Sequence, residues 1–315
     1  MKRLLFSLLL TIFPTLYIIA DKIIWQIGEK DGSSAELALG PSDYTKFLAN
    51  DFGYEDRYFL IGTSKVEKEF SYVLPGPADQ WGGTGGTSGW RTHDTTILFN
   101  LENPSKSKDW NLVIDLLGAS PLGAVVKVTV NSVSKRFVIE GGPKEVLEGD
   151  VQNAKKTTLN FPLEDKLLKK GGNSIVISVL EGGWIVFDQI QLMGPNQATL
   201  GKTSAKAFLR DIYAANYEIE NDGNRFQPLL VDVEHLTGSP RLKVEVDNVE
   251  IFSSVMDTAR YQFEAPMPAV HQSKKSTYKI WADNELLQSG TIIRTPQALH
   301  SYADYVKFLV YFLLV

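Results

Sequence analysis

The chain has no cysteine among its 315 residues. That excludes disulfides, thiolate nucleophiles and cysteine-ligated zinc together. It also has no Asn-x-Ser/Thr acceptor triplet. Exported eukaryotic proteins of this size ordinarily carry disulfides, so export by a bacterium is the expected setting. Histidine is scarce. The four, His93, His235, His271 and His300, show no His-x-x-x-His spacing that would hold a metal. No Gly-x-Ser-x-Gly elbow and no phosphate-cradling Gly-Lys-Ser/Thr loop occurs. An excess of positive charge is missing too: 32 Lys and Arg stand against 37 Asp and Glu, a formal charge of -5. No basic stripe offers itself to a phosphate backbone, so nucleic acid is not an expected partner.

What is present begins with a leader. Lys2 and Arg3 precede an almost purely apolar run from Leu4 to Ala20, interrupted by Ser7, Thr11 and Pro14 and followed by Asp21 and Lys22. This is the layout of a secretory signal peptide over residues 1–20. The run is slightly short for a bilayer span of about 20 residues, and Pro14 interrupts it, so no stable membrane span is expected after cleavage. A secreted or periplasmic location follows.

From residue 22 onward the dominant period is two. Val126, Val128 and Val130 alternate with Lys127, Thr129 and Asn131, and Ile175, Ile177 and Val179 with Ser174, Val176 and Ser178. Such alternation marks strands with one buried and one wetter face. Similar stretches recur at 24–27, 58–61, 95–101, 111–117, 135–140, 157–161 and 184–192. Gly, Pro and Asn punctuate them, as in a β-sandwich or jelly roll. One helical turn is expected at Leu163 to Lys169, stopped by Gly171 and Gly172. Gly194-Pro195-Asn196 opens a small polar break. The β pattern resumes at 229–233, 242–246, 261–263, 278–281 and 291–293. The expected organisation is therefore all-β: a jelly roll over 22–195, then a smaller immunoglobulin-like sandwich over 203–295. Residues 296–315 end in an apolar run, Phe308 to Val315, too short to span a bilayer as a helix. They read as a truncated tail.

One segment departs from core chemistry. Residues 74–93 place Trp81, Trp90, Arg91 and His93 amid Gly76, Gly82, Gly83, Gly85, Gly86 and Gly89. Indole faces stack on the C–H faces of sugar rings while neighbouring polar groups bond the hydroxyls, so Trp81, Trp90, Arg91 and His93 form a candidate carbohydrate site. The competing reading has the two tryptophans plugging one end of the sandwich. Asp188 shares a face with Val186, Ile190 and Leu192 by alternation, and a carboxylate there must be paired. Backbone amides or an arginine are the expected partners, with a structural calcium ion as the alternative. Glycosidases need two carboxylates flanking one bond. No recognisable pair exists, so no catalytic residue, metal ligand or cofactor is assigned.

Several stretches resemble a known family. Ile24 to Ala38, with Trp25-Gln26-Ile27-Gly28, a turn and Ala35-Glu36-Leu37, resembles the opening of the third domain of family 4 polysaccharide lyases, the rhamnogalacturonan lyases. Trp110–Leu116 is similar to that domain's central strand. Leu167–Ile175 is similar to its helical turn before a strand, and Val186–Leu192 to its closing strand. The resemblance covers roughly residues 22–195. It implies a carbohydrate-binding-module-like, galactose-binding-like jelly roll without the lyase's acid–base residues, which lie in another domain. The segment 75–90 has no counterpart in that pattern. The whole layout is similar to the N-terminal, non-catalytic region of large exported bacterial glycosidases. Ser301-Tyr-Ala-Asp-Tyr-Val306 resembles the start of a family 92 (α-mannosidase-like) glycoside hydrolase domain. The resemblance thus implies an accessory region with carbohydrate as partner and a catalytic glycosidase domain as neighbour. A purely structural spacer and a stand-alone lyase or glycosidase are the alternatives.

Overall fold

The computed structural model describes residues 22–104, 110–164 and 166–299. The leader of residues 1–20 and the hydrolase-like string at 301–306 lie outside the described residues.

The first half is built from strands β1 (Lys22–Gly28), β2 (Tyr58–Leu60), β3 (Val73–Leu74), β4 (Asp94–Asn103), β5 (Trp110–Ala119), β6 (Ala124–Val130), β7 (Val133–Ile139), β8 (Thr157–Leu163), β9 (Gly171–Gly182), β10 (Ile185–Gly194) and β11 (Thr199–Gly201). One sheet runs β1-β10-β5-β8, with β3 also on β10, and the other runs β11-β4-β9-β6-β7, with β2 on β4. The early strand β1 lies against the late strand β10, closing a jelly roll. All pairings are antiparallel except β2 with β4. Alternation decides which faces meet. Leu112, Ile114 and Leu116 of β5, Val126, Val128 and Val130 of β6, and Ile175, Ile177 and Val179 of β9 are all buried in one continuous core. Each such side chain contributes about 1.5–3 kcal/mol by leaving water.

The second half comprises β12 (Ala207–Ala214), β13 (Ile219–Asn221), β14 (Asn224–His235), β15 (Arg241–Val246), β16 (Val249–Val255), β17 (Arg260–Pro268), β18 (Lys274–Ala282) and β19 (Glu285–Arg294). One sheet pairs β14 with β12, β13 and β17, and the other runs β16-β15-β18-β19. Leu229, Val231, Val233, Leu242, Val244, Ile280 and Met267 fill a separate core between them.

Two expectations need correction. Among the described residues of Leu163 to Lys169 there is no helical turn: Leu163 ends β8, and residues 166–170 form turns and bends before β9. Leu163 is needed by the sheet, where it pairs with Trp110. The α-helical turn among the described residues is instead Val66–Glu69. Gly172 also serves another purpose than stopping a helix. A β-carbon there would lie 2.0 Å from the Leu209 carbonyl oxygen, so only glycine lets β12 approach β9. Asp188, for its part, does not follow the alternation. The β10–β5 register shifts between Phe187 and Gln189, leaving Asp188 as the extra residue of a β-bulge.

The two halves are joined by more than a linker. Leu60, Leu98 and Phe208 form a small shared apolar cluster. Beside it Glu234, 1% exposed, accepts from Arg210 Nη1 at 2.9 Å and from the Tyr58 hydroxyl at 3.0 Å. Lys169 Nζ donates to the Arg210 carbonyl at 2.7 Å and to Asp211 Oδ1 at 2.9 Å. Removing a buried carboxylate strands its donors. Glu234→Ala should therefore lower stability by about 3 kcal/mol, with Glu234→Gln losing less than half of that. Urea unfolding checks this, and equal losses in the two variants would show that the hydrogen bonds are not what matters.

Candidate functional site

The glycine-rich segment between β3 and β4 carries few apolar side chains, and glycine loses the most entropy on ordering. It is nevertheless pinned along its length. Ala78 N–H donates to the Gly182 carbonyl at 3.0 Å, and a β-carbon on Gly76 would meet the Gly183 carbonyl oxygen at 2.0 Å. This end therefore lies directly on the β9–β10 turn. Thr84 Oγ1 donates to the Asp79 carbonyl at 2.5 Å, and Arg91 Nε donates to the Gly83 carbonyl at 2.8 Å.

The anchor is aromatic. Phe47, fully buried, packs on His93 with ring centroids 5.6 Å apart and meets Trp81 edge-on at 6.2 Å. Tyr44 adds a second edge-on contact to Trp81 at 5.1 Å. Such pairs contribute about 0.5–1.5 kcal/mol each beyond area burial. His93, 5% exposed, donates from Nε2 to the Gly82 carbonyl, which fixes the proton on that nitrogen in the neutral ring. Burial lowers its pKa, only partly opposed by the Gly82 bond. Asp79 shows the complementary effect: burial raises its carboxyl to about 6, against the weaker pull of the Gly76 N–H.

The four residues singled out by sequence thus divide. His93 faces inward and braces the loop, and Trp81 is half-buried against Tyr44 and Phe47. Trp90 and Arg91 are exposed, Trp90 at 64%. Trp90 sits at φ +56°, a left-handed backbone unusual for a bulky residue, directly after Gly89 at +76°. Its indole lies over Gly86, where an added β-carbon would come within 3.2 Å of Cζ2. One face of Trp90 is seated on a glycine turn, and the ring is held outward. Strain of this kind is kept only where the surroundings over-determine it. Phe47 and Tyr44 were not legible as site residues, because they lie in a stretch of short 3-10 turns without periodicity.

Asp188 is settled locally. Its Oδ1 accepts the Gly32 N–H at 3.1 Å, a backbone amide, and burial raises its pKa above the ordinary value. Nearby, Asp115 accepts from Lys30 at 2.8 Å and from Thr158 at 2.5 Å. Among the described residues, no three His, Asp or Glu side chains gather as they would around a metal ion.

Fold and strand order define the class, a jelly-roll β-sandwich of the carbohydrate-binding-module type. The family can be stated more narrowly. The model of the carbohydrate-binding-module-like domain III of polysaccharide lyase family 4 matches residues 23–192, more than half of the chain, and the chain belongs to that family. No curated protein matches. Similar solved structures include a GH2 beta-galacturonidase from Eisenbergiella tayi bound to galacturonate, with 11% identity over 66% of this chain and 36% of that one and a TM-score of 0.24. Another is the Ruminococcus gnavus beta-glucuronidase in complex with uronic isofagomine, with 9% identity over 65% and 34% and a TM-score of 0.22. The Parabacteroides merdae beta-glucuronidase with glycerol in its active site gives 11% over 65% and 28%, and a TM-score of 0.21. This chain spans about a third of their length.

The two loop titrations act in opposite directions. His93, with its pKa lowered from 6.5, stabilises the fold above about pH 6.5, and that contribution is lost as pH falls through its lowered value. Asp79, raised from 3.8 to about 6, favours the fold below 3.8, and that contribution is lost as pH rises through about 6. Relative to wild type, Asp79→Asn should gain stability between pH 4 and 7. The deficit of His93→Gln should shrink as pH falls over the same range. Urea midpoints across that range decide the matter, and pH-independent differences would contradict both assignments.

Proposed function

We propose that the chain is a non-catalytic carbohydrate-binding region of a secreted or periplasmic bacterial protein that degrades glycans, working beside a catalytic glycosidase or lyase domain. The observation that carries this reading is Trp90. An indole two-thirds exposed, on strained backbone, is fixed to a pinned loop of a carbohydrate-binding-module-like jelly roll. Arg91 stands next to it, its Nε bonded to Gly83 and its remaining N–H groups available to ring or substituent oxygens. Trp81 and His93 act from behind, by holding the platform. Covering one indole face removes on the order of 100 Å² from water, worth about 2.5 kcal/mol. Association costs consume much of such gains, so affinity for a short oligosaccharide should be near millimolar.

A second reading, a structural spacer, is favoured by the close junction around Glu234 and Gly172. The two readings part on one measurement. Titrating soluble oligosaccharides against tryptophan fluorescence should give saturable quenching. Trp90→Ala should weaken binding by about tenfold or more, equivalent to about 1.4 kcal/mol, with little change in stability. Unchanged affinity in Trp90→Ala would remove the site, and no affinity for any glycan would leave the spacer.

A further inference from the structure

We propose a second carbohydrate site, for uncharged saccharide, on the outer face of the β12-β14-β17 sheet. It rests on the reading above for its ligand class but uses none of that loop's residues, and it lies beyond the matched residues 23–192.

The register builds it. Tyr213, Leu230 and Glu264 form one row across the three strands, and Asp211, Asp232 and Gln262 form the next. The intervening residues Val231 and Phe263 turn the other way, toward the second core. Two residues along a strand is roughly 7 Å, about the width of one pyranose ring. The first row offers an apolar floor: Tyr213 is 52% exposed and Leu230 is half-buried beside it. The second row offers oxygen acceptors and one carboxamide. Together these residues line an open cleft of about 390 Å³, a volume typical of small-ligand sites.

The polar groups are held in place before any ligand arrives. Asp232 accepts from Arg260 Nε at 2.9 Å and Nη2 at 2.6 Å, and from Gln262 Nε2 at 3.1 Å. Asp211 accepts from Lys169 at 2.9 Å, and Glu264 from the Tyr217 hydroxyl at 2.5 Å. A carboxylate offers about four lone-pair sites, so even Asp232, with three filled, keeps acceptor capacity that sugar hydroxyls can use. Lys169 and Arg260 are already engaged by Asp211 and Asp232, and Glu264, bonded to a neutral hydroxyl, adds negative charge beside the first row, so an uncharged saccharide is favoured over a uronic acid. Stacking on Tyr213 and donation to Asp211 and Asp232 fit a neutral hexose or pentose unit.

The test uses the full chain carrying Trp90→Ala, so that the loop site is silent. Cellotriose, xylotriose, galactotriose and trigalacturonate are titrated by calorimetry and by two-dimensional NMR. The expected result is near-millimolar binding of at least one neutral trisaccharide and none of trigalacturonate. Adding Tyr213→Ala or Gln262→Ala should weaken that binding by about tenfold, while Tyr213→Phe should retain it to within about threefold. If Trp90→Ala binds no neutral trisaccharide, or if Tyr213→Ala leaves its affinity unchanged, the proposal is overturned. A wild-type affinity insensitive to Trp90→Ala but abolished by Tyr213→Ala would sink the loop reading and leave this one standing.

Discussion

Everything distinctive in this molecule depends on how a segment with almost no apolar side chains is kept in one shape. Ordering each backbone residue costs about 1–2 kcal/mol, and glycine is the most expensive. Phe47 supplies the fixed point. Its ring contacts both His93 and Trp81, and His93 in turn donates to Gly82 in the middle of the glycine run. With that contact in place, the bonds from Thr84, Arg91 and Ala78 close the loop on the jelly roll. Without it, Trp90 has no frame against which its exposed ring can be presented.

A neutral His93 belongs to the same constraint. A charged imidazolium in that position would be desolvated among aromatic rings with a backbone carbonyl as its nearest partner. The burial that makes it a poor direct ligand for sugar makes it a good brace. Trp81 follows the same logic, since its edge contacts with Tyr44 and Phe47 spend much of its surface on the loop's own stability. The proposed site is therefore one presented indole on a built support rather than four residues converging on a ligand.

Much of the fold was legible, because burial on one face leaves a plain trace in sequence. The alternations at Val126–Val130 and Ile175–Val179 correspond to strands in which Val126, Val128, Val130, Ile175, Ile177 and Val179 are fully buried while Val176 stays half-exposed. Legibility failed where tertiary contacts override local pattern. The stretch around Leu163 carries a helix-like spacing but is claimed by pairing with Trp110. The bulge at Asp188 breaks the period of two without any glycine or proline to signal it. Strand β12 went unread because a register shift between Leu209 and Asp211 interrupts its alternation, and the acceptor row at Asp211, Asp232 and Gln262 went with it. Within the candidate site, composition singled out the glycine-rich loop. Which tryptophan faces water was decided by Phe47 and Tyr44, more than 30 residues upstream of the loop's centre.

The most direct test is to follow the indole N–H resonances of the six tryptophans during addition of a mixture of soluble oligosaccharides. The Trp90 signal should move in a saturable way. The core residues Trp25, Trp110 and Trp184, each about 5% exposed or less, should stay where they are. A Trp90 signal that does not move with any glycan that the full chain demonstrably binds would contradict the proposed site.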